Sequence, residues 1–205
     1  MASLKALVDV VAEVEHLDPA TVSLIAREVR EAGLIKTGGR GTSAAQMTLA
    51  DAANLLIAVN TSSIVREAPQ AIKLYRGLQY AFSPRPKFGD ILEELLESTI
   101  KQKLPNKFLG SSVPPALKNA FSQNLISLQL TFFKPYPSIQ LSIQSHSVAA
   151  ENLRLRVRKI ETTSSLINAR FDPAAPAAHP PCDRSEETTI GLVTLRAVAN
   201  LIASK

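Results

Sequence analysis

Two arginines on one predicted helix are the residues whose type and spacing best suit a defined chemistry. Arg27 and Arg30 lie in a segment whose apolar residues recur at helical spacing, namely Val22, Ile25, Ala26 and Val29. If that apolar stripe faces the core, the two arginines point outward together with Thr21 and Ser23. Guanidinium groups can contact guanine edges in the major groove of DNA, and hydroxyl groups can contact phosphates. The pattern therefore predicts a helix that binds double-stranded DNA.

A Gly-rich polar segment follows this helix and adds two more cations. Residues 36–43 have the composition of a hairpin loop, with Lys36 at its start and Arg40 and Thr42 among its glycines. Beside a helix in the major groove, such a loop can contact a neighbouring phosphate or the minor groove. The candidate DNA-binding residues are therefore Thr21, Ser23, Arg27, Arg30, Lys36, Arg40 and Thr42.

Helix start and stop signals place these residues in a helix-turn-helix. Asp18 suits the N-cap of the DNA-facing helix, Pro19 its first position and Gly33 its end. A preceding amphipathic helix is predicted from its cap Ser3 to about His16. Two amphipathic helices joined by so short a turn meet the basic requirement of the motif.

The stretch from Asp18 to Ile35 resembles the recognition-helix region of bacterial winged helix-turn-helix regulators. Shared features are the Thr21-Val22 pair, the ending Glu-Ala-Gly-Leu-Ile at 31–35, and the Gly38–Thr42 segment at the position of the wing. The stretch Arg30–Val59 is also similar to uncharacterised phage and prophage proteins of alphaproteobacteria. The resemblance implies a sequence-specific DNA-binding protein with a winged-like fold, acting as a transcriptional regulator.

A plain helical hairpin with a solvated outer surface is the alternative to this interpretation. Glu28 and Glu31 lie on or near the proposed DNA-facing surface and favour the alternative. Residues 1–60 contain five Lys or Arg and seven Asp or Glu, which gives a net charge of −2. DNA-binding modules are usually basic, so a dimer, which doubles the contact surface, would help binding.

A possible secondary basic surface comes from Arg154, Arg156 and Arg158, which alternate with apolar residues on a predicted strand. Three arginines at a spacing of two residues would project from one face and could follow a phosphate backbone. The alternative is a solvated sheet face, or an edge that charge protects against aggregation. The alternative is favoured for this segment.

C-terminal to residue 60, the spacing of the apolar residues changes from helical to alternating. The predicted elements in order are helices from Pro69 and over 88–104, strands over 126–132, 139–143, 153–157 and 165–171, and a closing helix capped by Thr194. Polar or Pro-rich breaks are expected at 60–63 and 83–86. In the N-terminal part, a capping box of Thr48 and Asp51 predicts a third helix.

These signals predict an α+β protein. It would have an N-terminal helix-turn-helix unit that is winged-like, a helical middle, and a C-terminal antiparallel β-sheet with a closing helix. The predicted division is a DNA-binding domain over 1–60, a helical linker or oligomerisation region over 61–123, and a sheet domain over 124–205.

Composition excludes several other classes. The 205 residues are 45% hydrophobic and 20% charged with a net charge of +5, which excludes wholesale disorder. One cysteine excludes an internal disulfide and a Cys-rich zinc site. The Gly-rich segment lacks the Gly-Lys-Ser/Thr ending of a phosphate-binding loop, and a Gly-x-Ser-x-Gly motif is missing. We therefore expect no enzymatic activity, metal or cofactor, and no membrane-spanning segment.

Three functions remain open at this level. The first is a phage- or prophage-type DNA-binding regulator in the cytoplasm of a bacterial host, with double-stranded DNA as partner. The second is a DNA-packaging component similar to a small terminase subunit. The third is a phage protein-interaction or virion structural module that does not bind DNA. A homo-oligomer is expected, as a dimer for the regulator or a ring for the packaging component.

Overall fold

The computed structural model of the chain describes residues 2–39, 45–80, 83–103, 126–145, 147–148, 162–163, 166–173 and 186–204. In these ranges the α-helices are α1 (Leu4–Val14), α2 (Pro19–Glu31), α3 (Leu49–Thr61), α4 (Ala68–Arg76), α5 (Phe88–Lys101) and α6 (Leu192–Ala203). The strands are β1 (Gln79–Tyr80), β2 (Ser83–Lys87), β3 (Ile126–Lys134), β4 (Ser138–Ser145), β5 (Ser147–Val148), β6 (Thr162–Thr163), β7 (Leu166–Asp172) and β8 (Glu186–Gly191).

The two N-terminal helices form as their capping residues predict. Ser3 Oγ accepts a hydrogen bond from Ala6 N at 3.2 Å at the start of α1. An Asp18 carboxylate oxygen accepts one from Thr21 N at 3.0 Å at the start of α2. Gly33 ends α2 with φ of 73°, a left-handed conformation that costs glycine little. The apolar stripes of α1 and α2 are buried against each other and against the rest of the core.

Helix α3 is the central helix of the molecule. Its capping box is present as predicted: Thr48 N donates to an Asp51 carboxylate oxygen at 2.8 Å, and Asp51 N donates to Thr48 Oγ1 at 3.3 Å. Ten of its thirteen residues are buried, and it contacts α2, α4, α5, α6 and strands of the sheet. The helix is therefore surrounded by other elements, whereas its sequence predicted only one apolar face.

The predicted polar break at 60–63 begins later than expected. Helix α3 continues through Asn60 and Thr61, and both residues are buried. Asn60 Nδ2 donates to Leu56 O at 3.0 Å and Thr61 Oγ1 donates to Ile57 O at 2.6 Å. These bonds to the preceding turn satisfy the polar groups inside the helix, so the residues need not end it.

The middle of the chain contains the two predicted helices and an unpredicted strand pair. Helix α4 begins beside Pro69 and α5 begins at Phe88, as expected. The Pro-rich break at 83–86 is instead strand β2, which pairs with β1 in an antiparallel ribbon. β2 is the edge of the sheet, a position where prolines are tolerated because no ladder hydrogen bond is needed on the outer side.

The main sheet is antiparallel with the strand order β2-β1-β7-β4-β3-β8. The predicted hairpin is confirmed as β3 and β4, with Leu130 opposite Leu141 and Phe132 opposite Ile139. These residues are buried beneath the helices, whereas Gln129 lies on the exposed face of β3. The strand predicted over 165–171 is confirmed as β7, and the strand predicted over 153–157 lies outside the described residues.

The closing helix begins three residues earlier than predicted. α6 starts at Leu192 directly after β8, with Gly191 at the N-cap position. Thr194 was predicted to be the cap, but it lies inside the first turn and is buried. Glycine is one of the residues found at helix N-caps. Gly191 has the extended backbone that this position requires, although it offers no side-chain acceptor.

One buried cluster joins the helical and sheet parts among the described residues. It runs from Ala2 in the N-terminal segment to Ala199 in α6, and α6 packs on both α1 and α5. Phe88 at the start of α5 packs edge-on against Phe132 and Phe171 of the sheet, with ring centroids 6.1 and 5.5 Å apart. The fold is thus mixed helix and sheet, with the helices covering one sheet face. Within the described ranges, no helix combines the length and apolar character needed to cross a bilayer.

Candidate nucleic-acid interface

The outer surface of α2 presents the side chains that the sequence assigned to it. Thr21, Ser23, Arg27 and Arg30 are all exposed, on the side of α2 opposite its buried stripe. Leu24 lies on this surface as well and is 55% exposed. The surface is therefore not purely polar, and its cations have different surroundings.

The Thr21 hydroxyl is part of the helix cap. Its Oγ1 donates to an Asp18 carboxylate oxygen at 2.9 Å, in addition to the bond from the Thr21 backbone N. The side-chain bond is the main cause that lowers the pKa of Asp18, and the backbone bonds add to it. Asp18 consequently stays ionised at the N-terminus of α2, where its charge would repel a phosphate.

Arg27 is paired with an acidic neighbour one helical turn away. Its Nε lies 2.7 Å from Glu31 Oε1, and the two side chains are 67% and 54% exposed. This hydrogen bond and the attraction between the charges raise the pKa of Arg27 and lower that of Glu31. Exposed pairs of this kind are weak, so a phosphate could replace Glu31 as the partner of Arg27.

Arg30 and Lys36 converge on one cleft at the end of α2. The cleft has a volume of about 320 Å³, and its lining includes Leu4, Met47 and residues 37–39. Both cations are exposed, and neither forms an ion pair with a carboxylate in the part of the chain that the structure describes. Of the predicted site residues, these two are the pair that the fold brings together.

The described residues on either side of positions 40–44 approach each other at the edge of this cleft. A side chain at Gly38 would place its Cβ 2.3 Å from Ala45 N, so only glycine allows this approach. The two arms of the predicted hairpin therefore meet at Gly38 and Ala45. Arg40 and Thr42, which were predicted to lie between the arms, are outside the described residues.

Two side chains of α3 hold the segment that leaves α2. An Asp51 carboxylate oxygen accepts from Lys36 N at 3.0 Å, and Asn54 Nδ2 donates to Leu34 O at 2.6 Å. Sequence reasoning treated Asp51 only as a cap and missed Asn54. The available signal for Asn54 was an amide in the middle of a largely apolar helix, where a buried polar group needs a specific partner.

A backbone hydrogen bond ties the far arm of the segment to the N-terminus. Met47 N donates to Ala2 O at 2.9 Å, so the residues before α1 and the residues before α3 run side by side. Both residues are buried. The cleft of Arg30 and Lys36 is thus built by the ends of three helices and not by α2 alone.

A buried carboxyl group lies at the turn between α1 and α2. Burial raises the pKa of Glu15 from 4.5 to about 7, and the nearby Asn60 amide of α3 partly offsets this. Glu15 Oε1 and Asn60 Oδ1 are both buried, and neither atom has a hydrogen-bond partner among the described residues. A neutral Glu15 carboxyl would provide a donor at this place, which favours the protonated form near neutral pH.

The secondary basic surface is not part of the described structure. Arg154, Arg156 and Arg158 lie outside the described residues. On the described outer face of the sheet, Thr131 Oγ1 lies 2.9 Å from Thr189 Oγ1, and Arg170 is paired with Asp172 at 3.0 Å. This face is dominated by uncharged polar side chains, in contrast to the surface of α2.

In comparisons with protein-family models, curated proteins and solved structures, no match to this chain was found. In the described ranges, no group of three or more His, Cys, Asp or Glu side chains is arranged to hold a metal ion.

Proposed function

We propose that this chain is a sequence-specific double-stranded-DNA-binding protein of phage or prophage type, acting as a transcriptional regulator in the cytoplasm of a bacterial host. The carrying observation is the convergence of Arg30 and Lys36 on one cleft at the exposed end of a capped, amphipathic helix. Helix α2 would lie in the major groove, and the Gly-rich segment would reach the adjacent backbone.

The distribution of charge along α2 supports one orientation on DNA. Asp18 places an ionised carboxylate at the N-terminus of the helix, whereas Arg30 and Lys36 lie at its C-terminal end. Phosphate contacts are therefore expected at the C-terminal end. Helix α2 has thirteen residues and a length of about 20 Å. The diameter of an α-helix with its side chains is about 10–12 Å, which suits a major groove about 12 Å wide.

The arrangement around the Gly-rich segment supports a winged-like unit. The order is helix, tight turn, helix and returning segment, with Gly38 against Ala45 and Met47 hydrogen-bonded to Ala2. A wing attached in this way would be held at its base while its tip contacts DNA. Arg40 and Thr42 would lie in that tip.

A homo-oligomer is part of the proposal. The N-terminal 60 residues have a net charge of −2, so the local cations act against an acidic background. A dimer would double the number of phosphate contacts and fit two half-sites about one helical turn of DNA apart. No enzymatic step is proposed.

Selection from a random duplex library, followed by fluorescence anisotropy on the selected duplex, tests the proposal. We expect enrichment of a defined sequence, and a loss of about tenfold or more in affinity for R30A/K36A, because charge-assisted phosphate contacts disappear. The matched control is K73A/K87A, which removes the same charge from exposed positions in α4 and β2. Equal losses in both double variants, or no enriched sequence, would contradict the assignment.

A protein-interaction module is the second candidate, because Leu24 is exposed at the centre of the α2 surface. An apolar side chain in that position suits a protein partner as well as a thymine methyl group. The Leu24→Ser variant would distinguish the DNA-binding function from the protein-interaction function. Loss of a protein partner with retained DNA affinity would favour the interaction module.

A further inference from the structure

A chain of polar contacts runs from the end of α2 through the helical layer to α5. Leu34 O accepts from Asn54 Nδ2 at 2.6 Å, and Asn54 Oδ1 accepts from Arg76 Nη1 at 2.8 Å. Arg76 Nη2 in turn forms an ion pair with Glu93 Oε1. Four elements, namely the segment after α2 and the helices α3, α4 and α5, are thereby connected by three side chains.

Arg76 fixes the orientation of the Asn54 amide. The amide oxygen faces a guanidinium that can only donate, so the NH₂ group must face the carbonyl of Leu34. If Arg76 were absent, the amide could rotate and present its oxygen to that carbonyl, which would be repulsive. Asn54 is 8% exposed, so water cannot readily replace either partner.

The space for the guanidinium is built into the fold. A Cβ at Gly89 would lie 2.7 Å from Arg76 Nε, so the glycine in the first turn of α5 lets the arginine pass. The side chains of Arg76 and Glu93 are only 26% and 31% exposed. The pair is thus a partly buried, specific contact and not a chance surface pair.

Glu93 also lines the cleft that contains Lys36. This second cleft, about 550 Å³, shares Lys36 and Met47 with the first cleft and includes the start of α3. An unpaired Glu93 carboxylate would therefore be available to Lys36, the cation on which the proposed function depends. Pairing with Arg76 neutralises that carboxylate.

We propose that Arg76 is a positioning residue for DNA binding: it keeps Asn54 bonded to Leu34 O and keeps Glu93 from competing for Lys36. This inference rests on the proposed DNA-binding function. It assigns a role in the interface to a residue on α4 that does not itself lie on the α2 surface.

Four chains measured together test the Glu93 part of the proposal: wild type, R76M, E93Q and R76M/E93Q. Fluorescence anisotropy with the selected duplex should show that R76M binds DNA about tenfold more weakly than the wild type, because the contact of Lys36 with a phosphate is lost. In R76M/E93Q most of that loss should be recovered, because no charge remains to attract Lys36. The Glu93 part of the proposal would be overturned if R76M bound DNA as tightly as the wild type, or if R76M/E93Q bound DNA no more tightly than R76M.

Limited proteolysis without DNA tests the Asn54 part independently of the proposed function. Trypsin should cleave after Lys36 several-fold faster in R76M and N54A than in wild type, because the segment has lost its anchor. The control variant K101M/E97Q removes an exposed pair on α5 and should leave the rate unchanged. Unchanged cleavage in R76M and N54A would overturn the positioning role even if DNA binds as proposed.

If R76M does not fold, the conservative variant R76K replaces it in the cleavage and anisotropy measurements. R76K retains a charge for Glu93 but cannot hold Asn54 and Glu93 together, since its single ammonium lacks the forked geometry. It should therefore show faster cleavage after Lys36, with a smaller loss of DNA affinity than R76M because Glu93 keeps a cationic partner. If the wild type binds no DNA, the proposed function fails, while the cleavage rates still decide the positioning of the segment.

Discussion

Helices α2 and α3 are neighbours of equal length, thirteen residues each, yet they differ in how many of their side chains are buried. α2 buries four residues along one stripe and exposes the remainder, including its arginines. α3 buries ten residues, among them polar ones, and contacts most other elements of the molecule. In this fold burial is therefore concentrated in α3, whereas α2 leaves most of its surface exposed, and it is this surface that we propose binds a partner.

Removing apolar volume should give the largest contrast between the two helices. Leu56→Ala in α3 removes a fully buried side chain and should lower the free energy of unfolding by about 2–5 kcal/mol. Leu24→Ala in α2 removes a side chain that is 55% exposed, and it should change the free energy of unfolding by about 0.5 kcal/mol or less. Urea denaturation followed by circular dichroism measures both values. Similar losses for the two variants would break the comparison.

The buried carboxyl that faces α3 should make stability depend on pH. The pKa of Glu15 is raised to about 7 in the folded protein, against 4.5 for an ordinary glutamate. The folded state therefore binds this proton more tightly, and stability should fall as pH rises between these two values, then stay level. The full change amounts to at most about 3 kcal/mol.

Replacing the carboxyl isolates this effect from that of other titrating groups. Glu15→Gln should flatten the pH dependence and be more stable than the wild type at about pH 8, because an amide has no charge to bury. Glu13→Gln, at an exposed position in the last turn of α1, is the control and should follow the wild-type curve. Parallel curves for Glu15→Gln and wild type would show that Glu15 is ionised in the folded state.

The helix caps provide a third contrast, of intermediate size. Asp51→Ala removes the acceptor for Thr48 and for Lys36 N and should cost about 1.5–3 kcal/mol. Asp18→Ala in α2 should cost less, because that cap is exposed and water can replace it. Hydrogen exchange at the Lys36 amide should accelerate only in Asp51→Ala. Faster exchange in both variants would mean that the segment depends on α2 for its position.

The exposed ion pair on α2 should have the smallest effect. Arg27→Ala breaks the contact with Glu31, but both side chains are more than half exposed. No measurable change in the thermal unfolding midpoint is expected at either low or high salt. A clear destabilisation that disappears at high salt would show that α2 contributes more to stability than its exposure indicates.

The elements that formed as predicted are those whose signals are local. The caps Ser3, Asp18 and Thr48 and the alternation of β3 and β4 each act within a few residues. A short-range hydrogen bond or the pleat of a strand is sufficient to specify such elements. The outward orientation of Arg27 and Arg30 followed from the buried stripe for the same reason.

The features that were missed depend on contacts distant in sequence. β1 exists because Gln79 and Tyr80 pair with β7, about ninety residues later. The early start of α6 follows from its connection to β8, not from a capping side chain. Asn54 and Asp51 anchor the segment after α2 only once α3 has packed against it. Such pairings carry no signal in local spacing.

The salt dependence of DNA affinity is the most direct test of the central claim, that the Arg30 and Lys36 cleft engages a phosphate backbone. For the wild type, the logarithm of the binding constant should fall linearly with the logarithm of salt concentration. For R30A/K36A the slope should be shallower by about 2, close to one unit for each lost phosphate contact. Equal slopes for the two proteins would contradict the account.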